Sequence, residues 1–373
     1  MTTPRSLLLT GATGYISREP SGGTVLDSLL KSPNTQVRDL AITVVVRKQD
    51  QLYFFNEKNI KTALVSGGLE DSEKLTNLAR QHDVVLDVAT GFNTVAVKAF
   101  IKGLAQRKRE TDVEPFYIHA SYRPDIGGEI LSGTTNLSVS DITGRGGELI
   151  TFSDKEEGIY EYEVKREVDD PYEQRTADVA TVEAGEQLNV RTYIVMPPVV
   201  WGAGTGYFHR FSKQVPQLIT NALKVGQVQY PAPDTSAVGR VHVTDLASLF
   251  EAILTRAIVD PYLPSGRRGF FFAETGRQTW LEVAEKIIAV GNDLGYLESL
   301  ESVGLSLQHA ADTWFNGQTA LVERIFCSTS STQAHRGYGI GWKPEKTDDD
   351  WNVSFVEAVQ AAKQQAEFEG RPW

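Results

Sequence analysis

The sequence predicts a doubly wound α/β protein, a parallel sheet covered by helices on both faces. Short β-rich runs alternate with helix-like segments through the first half of the chain, in the order βαβαβ from the start. A glycine-rich turn follows the first of those runs, where such a sheet binds its ligand.

Ser6-Leu7-Leu8-Leu9-Thr10 reads as a buried strand, and TVLDSLLKS after the turn is amphipathic. The further strands are LAITVVVR (40–47), KTALVSG (61–67), DVVLDVAT (83–90), FYIHAS (116–121) and VRTYIVMPP (190–198). Between them, SEKLTNLARQH (72–82), TVAVKAFIKGLAQRKR (94–109) and QRTADVATVEAGEQL (174–188) are helix-like, the last with apolar residues at three- and four-residue spacing. Beyond Pro198 the regularity fades. WGAGTGYFHRF is a loop, PQLITNALKVG (216–226) a helix and GRVHVTDLASLFEAIL (239–254) a strand running into a helix. A Pro/Gly-rich break at 260–269 precedes a last strand, a helix and a mixed tail. Residues 1–200 are therefore expected to form a nucleotide-binding domain of Rossmann type, with 238–260 returning to it. Residues 201–237 and 261–373 form a smaller, C-terminal substrate-binding portion.

The composition bounds the function. With 41% hydrophobic and 23% charged residues among 373, the chain reads as an ordinary soluble globular protein. A net charge of −11 argues against a nucleic-acid partner, because phosphate backbones are held by clustered Lys and Arg. The one cysteine, Cys327, excludes an internal disulfide, and six scattered histidines offer no metal site. Neither a signal peptide nor a membrane span is evident, so a cytoplasmic protein is expected.

Thr10-Gly11-Ala12-Thr13-Gly14-Tyr15-Ile16 follows the first strand directly. Glycine there lets the backbone turn tightly and approach a pyrophosphate, while the next helix offers free N–H groups and the positive end of its dipole. Without Ser17-Arg18-Glu19-Pro20-Ser21 the text would read TGATGYIGGTVLDSLL, a complete glycine fingerprint. As written, the third glycine is delayed to Gly22 or Gly23. Such a segment either displaces the N–H groups or bulges outward, letting Gly22-Gly23 restart the helix. Arg47 ends the second strand where an acidic residue would select a free ribose 2′-hydroxyl, so NADP is the expected cofactor, with NAD as the alternative.

TGATGYI, DVVLDVAT, MPPVVWGAGTG, RVHVTDLA and GYGIGWKP, in that order, resemble the short-chain dehydrogenase/reductase superfamily, in its extended and atypical branches of epimerase/dehydratase-like and NmrA-like proteins. The resemblance spans nearly the whole chain. It implies that Ala89 and Thr90 lie beside the cofactor ribose, that Gly67, Gly68 and Leu69 approach the adenine, and that Pro197 and Pro198 border the nicotinamide. It gives His242 a structural hydrogen bond rather than an acid/base role.

The family's chemistry uses a Tyr four residues before a Lys, with a Ser or Thr on the substrate oxygen; the Lys lowers the phenol's pKa. No Tyr in this chain has a Lys four residues later. Spacing puts Tyr172 at the Tyr position and Thr176 at the Lys position, with Arg175 one residue early and Tyr160, Tyr162 and Lys165 as runners-up. FYIHAS-YRPDIGGEIL-SGTTNLS matches the family's serine run better without residues 122–131, which makes Ser132 and Thr134 the expected hydroxyls, with Ser121 competing. The segments 17–21 and 122–131 read as recent insertions, alternative splicing or gene-model choice. Transcripts consistently carrying both would exclude a gene-model error.

The expected function is an NAD(P)-dependent oxidoreductase acting on a small carbonyl, alcohol or imine, working as a monomer or homodimer with no membrane partner. A non-catalytic NADP-sensing regulator and a sugar-nucleotide epimerase/dehydratase are the alternatives.

Overall fold

The computed structural model describes residues 5–13, 23–89, 91–124, 130–206 and 214–368. Seven strands, β1 (Ser6–Thr10), β2 (Ala41–Val46), β3 (Lys61–Leu64), β4 (Val84–Asp87), β5 (Phe116–Ala120), β6 (Arg191–Met196) and β7 (Phe270–Phe272), form one sheet. Their order is β7-β6-β5-β4-β1-β2-β3, and every pairing is parallel. The strands are apolar almost throughout because both faces are covered. The order reverses between β1 and β4, which opens a crevice at their carboxyl ends.

The covering helices are α1 (Thr24–Lys31), α2 (Gln49–Glu57), α3 (Ser72–Arg80), α4 (Thr94–Glu110), α5 (Ile159–Asp169), α6 (Glu173–Leu188) and α7 (Val243–Val259). On one face Leu26 and Leu29 of α1 share a core with Leu249, Phe250 and Ile253 of α7. On the other, Leu75, Phe100, Leu104 and Ala184 from α3, α4 and α6 pack on Leu8, Val85 and Tyr117 of the sheet. Local chemistry sets the helix ends. The side chains of Asp71, Asn93 and His242 accept from the first free N–H groups of α3, α4 and α7, and Asn189 at φ 52° closes α6 in a left-handed turn.

A second apolar core holds Trp201, Leu218, Trp280, Phe326, Trp351 and Phe355 from the later part of the chain, and reaches back to Tyr172 and Val199. A small sheet beside it carries Val199–Trp201, Ala237–His242 and Gly276–Thr279. One boundary differs from the sequence expectation: β7 lies within 261–373, so the main sheet takes a strand from the segment assigned to substrate binding. The run FFF is too short and too uniform for periodicity to show which core it joins.

Candidate functional site

A cavity of about 250 Å³ opens at the strand-order reversal. Thr10, Gly11 and Thr13 reach it from the turn after β1, Val45 and Arg47 from the end of β2, and Leu69 and Glu70 from the turn after β3. Ala89, Phe92 and Asn93 close it from the β4 side. Gly11 has φ +74°, a conformation that disfavours any side chain. The Asn93 amide donates to Glu70 at 2.7 Å, tying two walls together. Gly23 N–H donates to the Ala12 carbonyl at 2.5 Å and caps α1, so the chain returns to the turn where that helix begins.

Five of the expected cofactor residues, Gly11, Thr13, Arg47, Leu69 and Ala89, therefore meet in one cavity. Gly68 sits one residue away in the same turn, with φ +70°. Pro197 and Pro198 stand at the end of β6, where the Pro197 carbonyl accepts from Gly133 N–H at 2.6 Å, and they do not line the cavity. Gly14, Tyr15, Ile16 and Thr90 lie outside the described residues, as does the segment 17–21.

Under the cavity lies a buried polar cluster. Asp87, at the end of β4, accepts from Thr10 Oγ1 at 2.5 Å, from the Tyr117 hydroxyl at 2.6 Å and from Ala89 N–H at 3.2 Å. His119 on β5 stands between carboxylates, with Nδ1 3.9 Å from Asp87 and Nε2 3.4 Å from Asp178 of α6. Asp178 also accepts from Ser121 Oγ at 2.6 Å and from the Asn136 amide at 2.7 Å, and that amide reaches Glu163 of α5 at 2.9 Å. All six side chains around His119 in this set, Asp87, Tyr117, Ser121, Asn136, Glu163 and Asp178, are fully buried.

Burial lowers the His119 pKa, but the Asp178 and Asp87 carboxylates outweigh it and raise the group to about 9. The two carboxylates thus favour the imidazolium at neutral pH, while the hydrogen-bond partner of its Nδ1 is the Tyr117 hydroxyl at 3.2 Å. Burial pushes Asp178 up as well, and pushes Glu163 well above the carboxylate range, with the Asp178 charge adding to the second shift. The sequence reading passes over this cluster. Its signal is a polar residue inside an otherwise apolar strand, as Asp87 is in DVVLDVAT and His119 in FYIHAS.

The expected catalytic residues form one connected set. Ser132 Oγ lies 3.3 Å from Thr134 Oγ1 and 3.1 Å from Thr135 Oγ1. The Gln174 amide donates to the Ser132 carbonyl at 3.1 Å, and the Tyr172 hydroxyl donates to Gln174 Oε1 at 3.4 Å. Tyr172 is the N-terminal flank of α6, and its ring is covered by Arg324 at 4.3 Å and Arg175 at 5.8 Å. Two cations, rather than one Lys, therefore stand over the phenol's face. Lys165 is exposed. Tyr160 lies under Arg267, and its hydroxyl donates to Glu183 at 3.4 Å. Arg166 donates to the Tyr162 hydroxyl at 3.1 Å.

His242 is held down to a pKa of about 4 by burial and by nearby Lys346, so it is neutral. Its ring accepts from Thr244 N–H at 3.2 Å and packs on Trp201 at 4.6 Å, which is a helix-capping role. Cys327 is buried and its thiol is pushed up to about 12, which makes it a poor nucleophile. No helix among the described residues is long and apolar enough to cross a membrane.

No family model matches the chain. It is 27% identical over 360 residues to the oxidase ucsJ of an Acremonium species, covering 91% of this chain and 93% of that protein. Among solved structures it resembles DesIV, the dTDP-glucose 4,6-dehydratase of Streptomyces venezuelae, solved with NAD and TYD bound. That match has a TM-score of 0.62 at 13% identity, over 97% of this chain and 98% of that one. The UDP-glucose 4-epimerase of Thermus thermophilus in complex with NAD gives 0.57 at 14% identity, over 96% and 99%. The UDP-glucuronic acid 4-epimerase of Bacillus cereus, in complex with UDP-glucuronic acid and NAD, gives 0.59 at 11% identity, over 95% and 99%. The seven parallel strands, their order and these likenesses together show that the chain has the fold of the extended short-chain dehydrogenases/reductases.

Proposed function

We propose that this chain is an oxidoreductase that binds a nicotinamide dinucleotide, NADP(H) in preference to NAD(H), and acts on a small carbonyl, alcohol or imine. The observation that carries the reading is the cavity at the strand-order reversal, with the Gly11 turn on one side and Arg47 on the other. The residues fit the adenosine half of such a cofactor: glycine where a pyrophosphate approaches the backbone, and a guanidinium where a 2′-phosphate would sit. The NAD held by the dehydratase and epimerase of like fold, and the oxidase activity in the relative's name, support the redox class.

When bound, the cofactor would supply or accept a hydride. A carbonyl substrate would gain that hydride on carbon and a proton on oxygen, becoming the alcohol while NADPH becomes NADP⁺. Ser132 and Thr134 would orient the substrate oxygen, and Tyr172, whose ring lies under the guanidinium groups of Arg324 and Arg175, would give the proton. The chain's own part is otherwise positional: the Asp87–Tyr117–His119 cluster fixes Thr10 and Ala89 in the cavity wall.

Calorimetric titration of the purified protein with NADPH and NADH tests the reading. Arg47→Ser is expected to weaken NADPH by about ten- to a hundredfold, the ~1.5–3 kcal/mol of a charge-assisted hydrogen bond, and to leave NADH unchanged. Equal losses for both nucleotides would remove the 2′-phosphate role from Arg47. No binding of either by the intact chain would remove the proposed function.

A further inference from the structure

We propose that a second cleft, on the outer face of the small sheet, binds a small carboxylate that also carries an amide, its carboxylate taking the place of Asp348 on Arg240 and its amide meeting Gln278. The cleft has a volume of about 530 Å³, within the roughly 300–1,000 Å³ of small-molecule sites. Its floor is Arg240 and Gln278, from the strands Ala237–His242 and Gly276–Thr279, and its walls come from the helices Trp280–Asp293 and Asp348–Phe368. It shares no lining residue with the cavity at the strand-order reversal. The two strands pair with Val238 opposite Gln278 and Arg240 opposite Gly276, so Arg240 and Gln278 project from one face. Gly239, next to Arg240, faces the other way, where a Cβ would lie 3.1 Å from Pro198. The cleft therefore lies behind the small sheet, away from the end of β6.

The floor of this cleft is polar and incompletely paired. Gln278 is 4% exposed, and neither its amide nitrogen nor its amide oxygen has a hydrogen-bond partner among the described residues. A buried amide without partners is costly, so one that is kept points to a partner. Arg240, 7% exposed, is in the same position in part. Its Nη2 lies 2.6 Å from Asp348 Oδ1, while its Nε has no partner among the described residues. Nε and Nη2 form one edge of the guanidinium, which a carboxylate grips with both oxygens. Asp348 takes only half of that edge. Its side chain is 83% exposed in the first turn of its helix, so it is free to swing into solvent.

The guanidinium itself is fixed. It lies over the Trp351 ring at 5.1 Å, and a Cβ on Gly276 would come within 2.0 Å of its Nη1, so only glycine leaves room for it. Burial lowers the Arg240 pKa and the Asp348 carboxylate opposes that shift. A buried cation is thus held by one solvent-exposed anion. A ligand carboxylate would span Nε and Nη2, and a neighbouring amide would give the Gln278 oxygen a donor and its nitrogen an acceptor, the pairing two amides make with each other. Glu282 and Lys286 at the rim are already committed, Glu282 to the cap of its helix and Lys286 to Asn352 at 2.6 Å. Asp348 is therefore an internal competitor: binding exchanges one carboxylate for another and adds the Nε bond and the two amide bonds.

The test is calorimetric titration of the full chain with acetylglycine, which has a carboxylate and one amide, and with acetate, which has the carboxylate alone. Acetylglycine is expected to bind at least tenfold more tightly than acetate. Asp348→Ala, which removes the competitor from an exposed position, should tighten both by about tenfold, a gain that loss of a purely structural ion pair would not give. Asp348→Asn should do so in part, and serves if the alanine variant does not fold. Gln278→Met, close in volume, should bring acetylglycine down to the level of acetate; where its melting curve shows that it does not fold, the Asp348 variants decide alone. Unchanged, weaker or absent acetylglycine binding in the Asp348 variants overturns the proposal, and so does equal binding of the two probes. Arg47→Ser, which alters the other cavity, should leave both probes unaffected; a loss there would place the carboxylate in the nucleotide cavity and overturn the proposal as well.

Discussion

Asp178→Ala is expected to lower the unfolding free energy by about 3 kcal/mol, because it takes from the buried His119 the nearer of its two carboxylates and leaves only Asp87. The imidazolium of His119 has no solvent to turn to, since it and all its neighbours in the cluster are fully buried. Ser121 and Asn136 lose an acceptor in the same change. A surface pair such as Lys31–Asp27, at 2.8 Å, sets the contrast: removing it should cost less than about 0.5 kcal/mol. Urea midpoints at pH 6 measure both, and a shift below about 1 kcal/mol for Asp178→Ala would show that His119 is buried neutral.

The same cluster fixes the direction of the pH dependence. His119 has its pKa raised from 6.5 to about 9, so the folded state holds a proton that the unfolded state gives up between those values. The stabilisation is complete below pH 6.5 and is lost as pH rises through 9. Asp178 and Glu163, whose pKa values burial raises, act in the same direction. Stability should therefore decline from pH 6.5 to 9, and His119→Gln should flatten that decline. An equal slope in His119→Gln would place the titrating group elsewhere.

The sequence made the fold legible because parallel strands buried on both faces leave continuous apolar runs, and the turns between them are written in Gly, Asp and Asn. β1 to β6 all fall within the predicted runs. β7 does not show its partner, since three phenylalanines suit either apolar core. The cavity wall was legible for a similar reason: Gly11 and Arg47 reach it from positions set by strand ends.

The polar cluster and Tyr122 were not legible in that way. His119, Asp178 and Glu163 come from three elements far apart in the chain, and only the packing of α5 and α6 on β5 gives them a common environment. Tyr122 looked like the edge of an extra loop, whereas the structure buries it against Val88 and Gly91. The missing Lys was plain from the sequence, yet Arg324 stands over Tyr172 from a distance of 152 positions, which no local spacing reveals.

Asp154→Ala should also destabilise the fold, by less than Asp178→Ala, through lost hydrogen bonds and the lost attraction of the nearby Arg336. The buried Asp154 carboxylate accepts from Phe272 N–H at 3.0 Å and from His335 and Arg336 N–H, each at 2.8 Å. Those three donors join the end of β7 to the late segment that runs beside the strand Thr151–Ser153. The Phe272 donor is buried and the His335 and Arg336 donors are partly so; an unmet buried donor costs about 1–3 kcal/mol, so the alanine variant should lose about 1–3 kcal/mol, and Asp154→Asn, which keeps one acceptor oxygen, clearly less. Beside it, the Glu274 carboxyl is raised to about 7, chiefly by burial. It holds Thr332 Oγ1 at 2.9 Å and also accepts from Ala334 N–H. A raised acid keeps its proton in the folded state, so this group adds a loss of stability as pH rises from 4.5 through 7. Hydrogen exchange separates the two effects: Asp154→Ala should speed exchange at the 335 and 336 amides at every pH, while Glu274→Gln should remove only the pH-dependent part at Ala334. If Asp154→Ala leaves the 335 and 336 amides as protected as before, the carboxylate is not what fastens the late segment to the sheet.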